Sequence, residues 1–349
     1  MAYKYTHFIP QNIAPKGAKY IEVYDSNGAK VCTIPLGRLN RPLGTKLYSF
    51  GLLSDLHCAG NNSAEGTRLN NALTYFENQG CLFCCHAGDM TNIGFWYNRG
   101  DTELYLPQMA EYKSIRKAHP GLPLYGISGN HENYNDVITN NLTELEEYTG
   151  HELYYTFRQG NDLFIFIGQP NSYQTINLEE LQWLYEVLEE NRNIRCHVFL
   201  HVFPKNDSGN PKNCYAEAVF GGYESHVKSL LSHYKNTILY HGHSHTKFVC
   251  QELDKTANYT EKNGFRSLHI PSVASSRDIV LQSDGTYKRV TGAESSQGYV
   301  ADVYDDCIVF NGIEFSNSKA EALGTYKTST KLQTIEANTF TDSTGTIKT

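Results

Sequence analysis

The sequence of 349 residues predicts a layered α/β fold in which central β-sheets are covered by helices. Segments with strand and helix patterns alternate from about residue 47 to residue 240. After residue 246 the pattern becomes mostly β. An alternating apolar and polar segment at residues 20–34 precedes this region and predicts a small N-terminal β element.

Residues 1–44 are predicted to form a β-hairpin and a link to the main domain. The alternation at residues 20–34 surrounds Asp25-Ser26-Asn27-Gly28, which is a strong hairpin signal. The main domain is placed at residues 45–315. Residues 316–349 are rich in Thr, Ser and Lys with little periodicity, and are interpreted as a polar tail or linker.

The main domain is predicted to alternate strands with helices. The clearest helix follows Asn177, which forms a pattern similar to a capping box with Glu180 and precedes apolar residues at helical spacing. Other helices are predicted around residues 69–76, at about residues 102–118, around 136–148 and at 223–234. The predicted strands are Leu47–Leu53, Cys81–His86, Leu122–Ile127, Leu153–Phe157, Leu163–Ile167, Arg195–Leu200, Thr237–Tyr240, Lys247–Glu252, Arg266–Ile270, Tyr299–Tyr304 and Cys307–Ile313.

The composition argues against several classes of protein. The formal charge is −7 and no run of Lys or Arg is present, so general nucleic-acid binding is not expected. The N-terminus lacks the apolar core of a signal peptide, and no run of eighteen apolar residues predicts a membrane span. Nine cysteines, including Cys81, Cys84 and Cys85, are interpreted as reduced core thiols, so a cytoplasmic location is expected.

Polar side chains that can bind metals follow five of the predicted strands. They are Asp55 and His57 after the first, Gly88 and Asp89 after the second, Gly129, Asn130, His131 and Glu132 after the third, His201 after Leu200, and Gly242, His243 and His245 after Tyr240. Any one of them alone has an ordinary explanation as a cap, a turn residue or a satisfied core histidine. Ligand sites in α/β folds lie at the carboxyl ends of strands. Burying all these groups at one edge would be costly without cations, so a metal site is predicted.

The residue types indicate the class of metal. Asp, His and Asn ligands favour Mn, Fe or Zn over Ca or Mg, and the lack of thiolates argues against a structural zinc site. Two ions about 3.5–4 Å apart need a ligand that reaches both, for which a carboxylate is suited. Seven ligand residues and water would complete two such sites.

Together the motifs resemble those of a known superfamily. Asp55-x-His57, Gly88-Asp89, Gly129-Asn130-His131-Glu132, His201 and Gly242-His243-x-His245 resemble, in this order and at these separations, the five signature motifs of the calcineurin-like metallophosphoesterases. The resemblance spans roughly residues 47–248 and is specific as a set. It implies two mixed sheets packed together and flanked by helices, and a hydrolase of phosphoesters, either a phosphodiesterase or a phosphatase.

The resemblance also implies a role for each residue. Asp55, His57, Asp89 and His245 would hold one divalent ion, and Asp89, Asn130, His201 and His243 the other, with Asp89 as the bridge. The ions expected are two of Mn, Fe, Zn or Ni, and a hydroxide between them would attack phosphorus. His131 would contact the phosphate and assist the leaving group, oriented by Glu132. A proton donor in this place also makes chemical sense, because the pKa of histidine lies nearest to neutrality.

The sequence departs from the protein-phosphatase branch of the superfamily. That branch carries Gly-Asp-x-x-Asp-Arg-Gly and an arginine before its Gly-Asn-His-Glu. Here those positions read Gly88-Asp89-Met90-Thr91-Asn92 and Ser128, so the phosphodiesterase and small-phosphoester group is the better match. A nuclease of the same superfamily stays open as an alternative. So does a structural or adhesive component of a larger assembly, such as a phage or surface structure. The natural substrate and the oligomeric state are left open.

Three further features lie outside the predicted ligand set. His241 matches no ligand position of the family and is expected to be structural or to support the ligands. The polar segment Lys205–Gly222 is expected to overhang the site and to select substrate. Arg277 is a candidate for a cation beside the phosphate, with a surface salt bridge as the equal alternative.

Overall fold

The computed structural model describes part of the chain, which divides into two compact units, residues 1–45 and 46–349. The described residues are 20–24, 27–35, 44–93, 102–133, 146, 149–171, 175–202, 204, 222–248, 258–290, 295–316 and 320–349. In the first unit, the strands β1 (Tyr20–Tyr24) and β2 (Lys30–Pro35) pair antiparallel. The hairpin therefore occurs where the sequence predicts it.

The second unit contains the remaining strands. In chain order they are β3 (Lys46–Leu53), β4 (Cys84–His86), β5 (Leu124–Gly126), β6 (Tyr154–Gln159), β7 (Asp162–Ile167), β8 (Cys196–Phe199), β9 (Thr237–His241), β10 (Tyr259–Lys262), β11 (Phe265–His269), β12 (Asp278–Leu281), β13 (Tyr287–Val290), β14 (Gln297–Tyr304), β15 (Cys307–Glu314) and β16 (Glu321–Ser329). Among the described residues, the helices are α1 (Ala64–Asn78), α2 (Thr102–Ala118), α3 (Asn130–Asn133), α4 (Leu178–Glu190) and α5 (Glu224–His233).

Two six-stranded mixed sheets form the centre of this unit. Their strand orders are β16-β15-β14-β3-β4-β5 and β10-β11-β9-β8-β7-β6, while β12 and β13 form a separate hairpin. Within the first sheet, β3, β4 and β5 are parallel, and within the second, β7, β8, β9 and β11 are parallel. Parallel strands end at the same edge, so each sheet delivers several loops to one place.

The two sheets pack face to face through an aromatic core. Phe50 of β3 lies edge to face against Phe164 of β7, with 5.3 Å between ring centroids. Phe310 of β15 approaches Tyr240 of β9 in the same way at 6.0 Å. All four side chains are fully buried. Because the residues of both sheets alternate toward this layer, the aromatic side chains fill the space between the sheets.

Helices cover the outer faces. The α1 residues Leu69 and Phe76 share a buried cluster with Leu124 of the first sheet. The α4 residue Leu184 and the α5 residue Leu230 share another with the second sheet. The predicted α/β layering, with two mixed sheets packed together and flanked by helices, is therefore confirmed.

Several local predictions differ from the structure. The predicted strand Cys81–His86 is shorter, since β4 begins at Cys84, and Cys81 and Cys84 enter the same buried cluster. Six cysteines are free and buried, as expected for core thiols: Cys58, Cys81, Cys84, Cys85, Cys196 and Cys307. The predicted helix at 136–148 and the strand at 247–252 lie largely outside the described residues, as does the segment 205–222.

Residues 316–349 do not behave as an extended polar tail. β16 pairs with β15 and forms the edge of the first sheet, and the side chains of Ile335, Phe340 and Ile347 are buried against the second sheet's helices. The apolar residues are too widely spaced in the sequence to give a helical or strand period. Their burial depends on a surface made by other elements, so periodicity could not reveal it. A membrane-spanning helix would need a longer apolar run than any helix among the described residues offers.

Candidate metal centre

The predicted site residues lie on the loops that follow the parallel strands. Those after β3, β4 and β5 come from the first sheet, and those after β8 and β9 come from the second. The buried members are Asp55, His57, Asp89, Asn130, His201 and His245, whereas His131 and His243 are partly exposed. Each sheet therefore supplies part of one centre, which lies where the carboxyl ends of the parallel strands of both sheets come together.

Three overlapping groups of side chains converge closely enough to hold a metal ion. In each group, ligand atoms from all members lie within 4.8 Å of one another. The groups are Asp55, His57 and His245; Asp89, His201 and His243; and His57, Asp89 and His131. Asp89 belongs to two groups, which is the position that a bridging carboxylate requires.

Individual distances show how tightly these atoms approach. His245 Nε2 lies 3.1 Å from Asp55 Oδ1 and 3.1 Å from His57 Nε2. His201 Nε2 lies 3.1 Å from Asp89 Oδ2 and 2.9 Å from Asn130 Oδ1. The Asn130 amide oxygen thus lies beside the second group, through its contact with His201.

Hydrogen bonds to the other ring nitrogen orient two of the imidazoles. His201 Nδ1 donates to the carbonyl of Ala87 at 2.6 Å, and His245 Nδ1 donates to the carbonyl of Ser275 at 3.0 Å. A carbonyl can only accept, so in both neutral rings the proton sits on Nδ1 and the Nε2 lone pair points toward the carboxylates. This pattern is the usual support of a metal-binding histidine.

The donor set fits a cation. Nε2 lone pairs face carboxylate oxygens and each other, which is repulsive unless a proton or a metal ion lies between them. His57 Nδ1 is buried without a hydrogen-bond partner in the described structure. Nitrogen and oxygen donors without thiolates suit Mn, Fe, Ni or Zn.

The electrostatic environment also favours the forms that bind metals. Burial, helped by the neighbouring His201, lowers the pKa of His243 to about 3, so that its imidazole is neutral. Burial alone would raise the pKa of Asp55, but His245 outweighs it and holds that pKa well below its usual range. A neutral imidazole and an ionised carboxylate are the states that coordinate divalent ions.

The Asp89 carboxylate dominates the electrostatic environment of His201. Burial acts to lower its pKa, but the Asp89 carboxylate overcomes this effect and raises the pKa to about 9. A proton on Nε2 would relieve the contact with Asp89. A divalent ion would take the place of that proton.

The backbone is strained at the ligands. Asp55, His57, Asp89, His243 and His245 all have positive φ, between 47° and 67°. The other non-glycine residues with positive φ in the described chain are asparagines. Asn, Asp and His adopt the left-handed region more readily than other L residues, yet five such residues at one site are a concentration that is typical of functional sites.

Two glycines allow the loops to approach the ligands. A Cβ on Gly242 would lie 2.5 Å from Asp55 Oδ2, and a Cβ on Gly129 would lie 2.7 Å from the backbone nitrogen of Asp89. Both distances are too short for any side chain. The glycines of the Gly-Asn-His and Gly-His motifs are therefore needed for close packing of the loops.

Glu132 connects two loops and does not contact the His131 ring. Its Oε1 accepts from the backbone and hydroxyl of Thr91 at 2.8 and 2.9 Å, and its Oε2 accepts from the backbone of Gly129 at 2.7 Å. The resemblance implies that Glu132 orients His131. The hydrogen bonds of Glu132 hold the turn from which His131 projects.

Arg277 lies at the site, and so does an arginine that the sequence analysis did not identify. Both Arg277 and Arg289 line a cavity of about 190 Å³ together with His57, Asp89, Asn130, His131, His243 and His245. Arg289 is in β13, whose short and exposed pattern gave no signal in the sequence. His241, by contrast, is fully buried at the end of β9, with its ring 5.5 Å from that of His269.

Comparison with known proteins places this geometry in a family. The sequence matches the family model described as calcineurin-like phosphoesterase over residues 48–247, which is more than half of the chain. The match includes the loops after β3, β4, β5, β8 and β9. No curated protein matches the chain.

Solved structures share the fold at low sequence identity. A dimetal phosphatase from Danio rerio has a TM-score of 0.54 at 16% identity, covering 80% of this chain and 99% of that one. GAP50, described as the anchor in the inner membrane complex of Plasmodium, has a TM-score of 0.54 at 15% identity, covering 82% and 89%. A purple acid phosphatase from yellow lupin (Lupinus luteus) seeds has a TM-score of 0.52 at 12% identity, covering 87% and 58%. The structural likeness shows the fold, and the family match shows that this chain belongs to the calcineurin-like phosphoesterases.

Proposed function

We propose that this protein is a dinuclear metal-dependent phosphoester hydrolase acting on phosphodiesters or phosphomonoesters. The observation that carries the proposal is the convergence of Asp55, His57 and His245 in one ligand group and of Asp89, His201 and His243 in another, with Asp89 also grouped with His57. Family membership supports it, because the shared feature of the family is a phosphoesterase domain. The fold alone would not, since the same fold is found in phosphatases and in a protein described as an anchor.

The proposed ligands divide between two ions. Asp55, His57, Asp89 and His245 would hold one, and Asp89, Asn130, His201 and His243 the other. When bound, such ions lower the pKa of a coordinated water and neutralise charge that develops on the phosphoryl oxygens. The protein residues contribute by fixing the positions of the ligands before substrate arrives.

His131 is the proposed proton donor to the leaving group. It is partly exposed in the cavity, and its backbone nitrogen donates to Asp89 Oδ1 at 3.0 Å, which fixes the start of its side chain. Burial lowers the pKa of His131, although the nearby Asp89 acts to raise it. A phosphate anion beside the ring would also act to raise this pKa, so substrate binding itself favours the protonated form of His131.

Hydrolysis of chromogenic esters tests the proposal. Purified protein would be freed of metal, loaded separately with Mn, Fe, Ni or Zn, and assayed with bis(p-nitrophenyl) phosphate and p-nitrophenyl phosphate. We expect metal-dependent release of p-nitrophenolate from one or both esters. A protein that binds none of these metals and stays inert with both esters would favour the alternative of a structural or binding module. Preferential cleavage of nucleic acid under the same conditions would favour the nuclease alternative.

A further inference from the structure

The hairpin β12–β13 carries two arginines toward the metal-ligand cavity. Ile279 pairs directly with Arg289 in this hairpin, and Arg277 is two residues before Ile279. Residues two apart on an extended strand, and residues paired across strands, share one face. Arg277 and Arg289 are therefore diagonal neighbours on the face that also carries the buried Ile279.

Each arginine is attached to a different part of the ligand loop. The guanidinium Nη1 of Arg289 donates to the carbonyl of Ser244 at 2.8 Å, between the two proposed ligands His243 and His245. The backbone nitrogen of Arg277 donates to the carbonyl of His245 at 2.6 Å. Both side chains are partly exposed in the cavity. The hairpin is thus fixed against the loop by the backbone of Arg277 and the guanidinium of Arg289, and both arginine side chains line the cavity.

The positive charge that would line this cavity exceeds what is needed to neutralise one reacting phosphate. The proposed ions and His131 already provide the positive charge that neutralises a single phosphoryl group. Two guanidiniums add further positive charge, against which the cavity lining beyond Asp89 offers the carboxylate of Glu65. Guanidinium is the side-chain group best suited to a planar grip on a second anion.

We propose that Arg277 and Arg289 bind a second anionic group of the substrate. This group is a phosphate or a carboxylate that is separate from the reacting phosphoryl group. They would be specificity-determining residues, and the preferred substrates would be phosphodiesters that carry a further phosphate or carboxylate on the ester arm that stays on the reacting phosphorus. This inference rests on the proposed hydrolase function and specifies its substrate class.

A matched pair of chromogenic diesters tests the inference. Thymidine 5′-(p-nitrophenyl phosphate) and its 3′-phosphorylated form have the same reacting phosphorus and leaving group, and differ in one anionic group. The ratio of kcat/KM for the phosphorylated to the unphosphorylated ester would be measured in the Mn-loaded wild type, Arg277→Gln and Arg289→Gln. Lys288→Gln is the control, because Lys288 is an exposed cation of the same hairpin on the opposite face.

We expect the wild type to prefer the phosphorylated ester, and each arginine variant to lower the ratio by roughly tenfold to a hundredfold, the usual worth of a hydrogen bond to a charged group. Lys288→Gln should keep the wild-type ratio. Because Arg289 also contacts the ligand loop, metal content is measured in every variant, and the ratio is used since it cancels a general loss of rate. A wild type without preference, or arginine variants that retain it, would overturn the inference.

A binding measurement separates this inference from the proposed hydrolase function. If neither ester is hydrolysed, the hydrolase proposal fails. Calorimetric titration of the Mn-loaded protein with thymidine 3′,5′-bisphosphate and thymidine 5′-monophosphate then decides the inference alone. Tighter binding of the bisphosphate that is lost in Arg277→Gln and Arg289→Gln supports the second anion site. Equal affinities in all variants contradict it.

Discussion

At the scale of single residues, the centre gathers buried carboxylates and imidazole nitrogens whose close contacts a bound cation would compensate. Asp55 and Asp89 are buried and ionised, and their neighbours present imidazole lone pairs toward them. His57, His243 and His245 add strained backbone to that cost. Folding gains little from these features, so their presence together supports the proposed metal centre.

His131 is expected to act on the rate and not on metal binding. His131→Gln removes the proton donor while keeping a polar side chain of similar reach. We expect kcat to fall by about 10²–10⁴-fold, the usual worth of a general acid. Metal content, measured by elemental analysis after removal of free ions, should stay at the wild-type level. Loss of metal from this variant would make His131 a ligand, as its proximity to Asp89 in one of the three groups would allow.

The sequence could identify the residues that bear the chemistry, but not those that position them. Motifs of adjacent residues such as Gly129-Asn130-His131 are visible in the sequence. The contacts of Glu132 with Thr91 and of Arg289 with Ser244 join positions far apart in the chain. Such contacts depend on how the loops pack in the folded protein, so no periodic pattern in the sequence predicts them.

At the scale of elements, α4 begins with a capping box that the sequence predicts, and the same capping box buries a carboxyl group. Asn177 and Glu180 form a reciprocal capping box, as the sequence predicts, with distances of 2.9 and 2.8 Å. Glu180 is fully buried, and its Oε1 lacks a hydrogen-bond partner in the described structure. Burial raises the pKa of Glu180 to about 8, although the bond from Asn177 acts against this shift.

This shift makes the stability contributed by Glu180 depend on pH. A raised pKa in the folded protein means that the stability is present below pH 4.5 and is lost as the pH rises toward 8. Gln at the same position keeps the capping bond and cannot ionise. We expect Glu180→Gln to stabilise the protein relative to wild type, with a difference that grows by about 1–3 kcal/mol between pH 6 and 8.5.

Denaturant unfolding at the two pH values measures this difference. Glu179→Gln is the matched control, because Glu179 is the exposed acidic neighbour in the same turn of α4. Its effect should change little between the two pH values. A difference for Glu180→Gln that is the same at pH 6 and 8.5 would show that the buried carboxyl is not neutral in the folded protein.

Elements with a long apolar stripe were predicted well, and short exposed ones were not. α2 spans the predicted residues 102–118, and β3 and β7 match their predicted strands closely. β12 and β13 are four residues each, mostly partly or fully exposed, and gave no period that could be distinguished from a loop. The hairpin that brings Arg289 to the site was missed for this reason.

At the scale of the whole molecule, the C-terminal segment is part of the folded unit that carries the centre. Phe340 is buried beside the aromatic rings of Tyr185, His233 and Tyr234, with centroid distances of 5.4 to 6.2 Å. It joins the end of the chain to α4 and α5. The segment therefore stabilises the helical layer that covers the second sheet.

Two substitutions in this segment compare the loss of a buried side chain with the loss of an exposed one. Phe340→Ala is expected to lower the free energy of unfolding by about 3 kcal/mol or more, as for other buried aromatic residues. Leu332→Ala changes a side chain that is 49% exposed, and should alter stability by less than about 0.5 kcal/mol. Equal effects of both substitutions in thermal or denaturant unfolding would mean that the segment does not pack on the domain in solution.

Asp89 is proposed to bridge two metal ions in one centre, and the number of metal ions bound per chain tests this proposal most directly. Wild type, Asp89→Asn and His131→Gln would be loaded with Mn, freed of unbound metal by gel filtration and analysed for Mn per chain. We expect two ions in wild type and in His131→Gln, and loss of both ions and of phosphoester hydrolysis in Asp89→Asn. Full occupancy in Asp89→Asn, or a wild type that retains no divalent ion, would contradict the account.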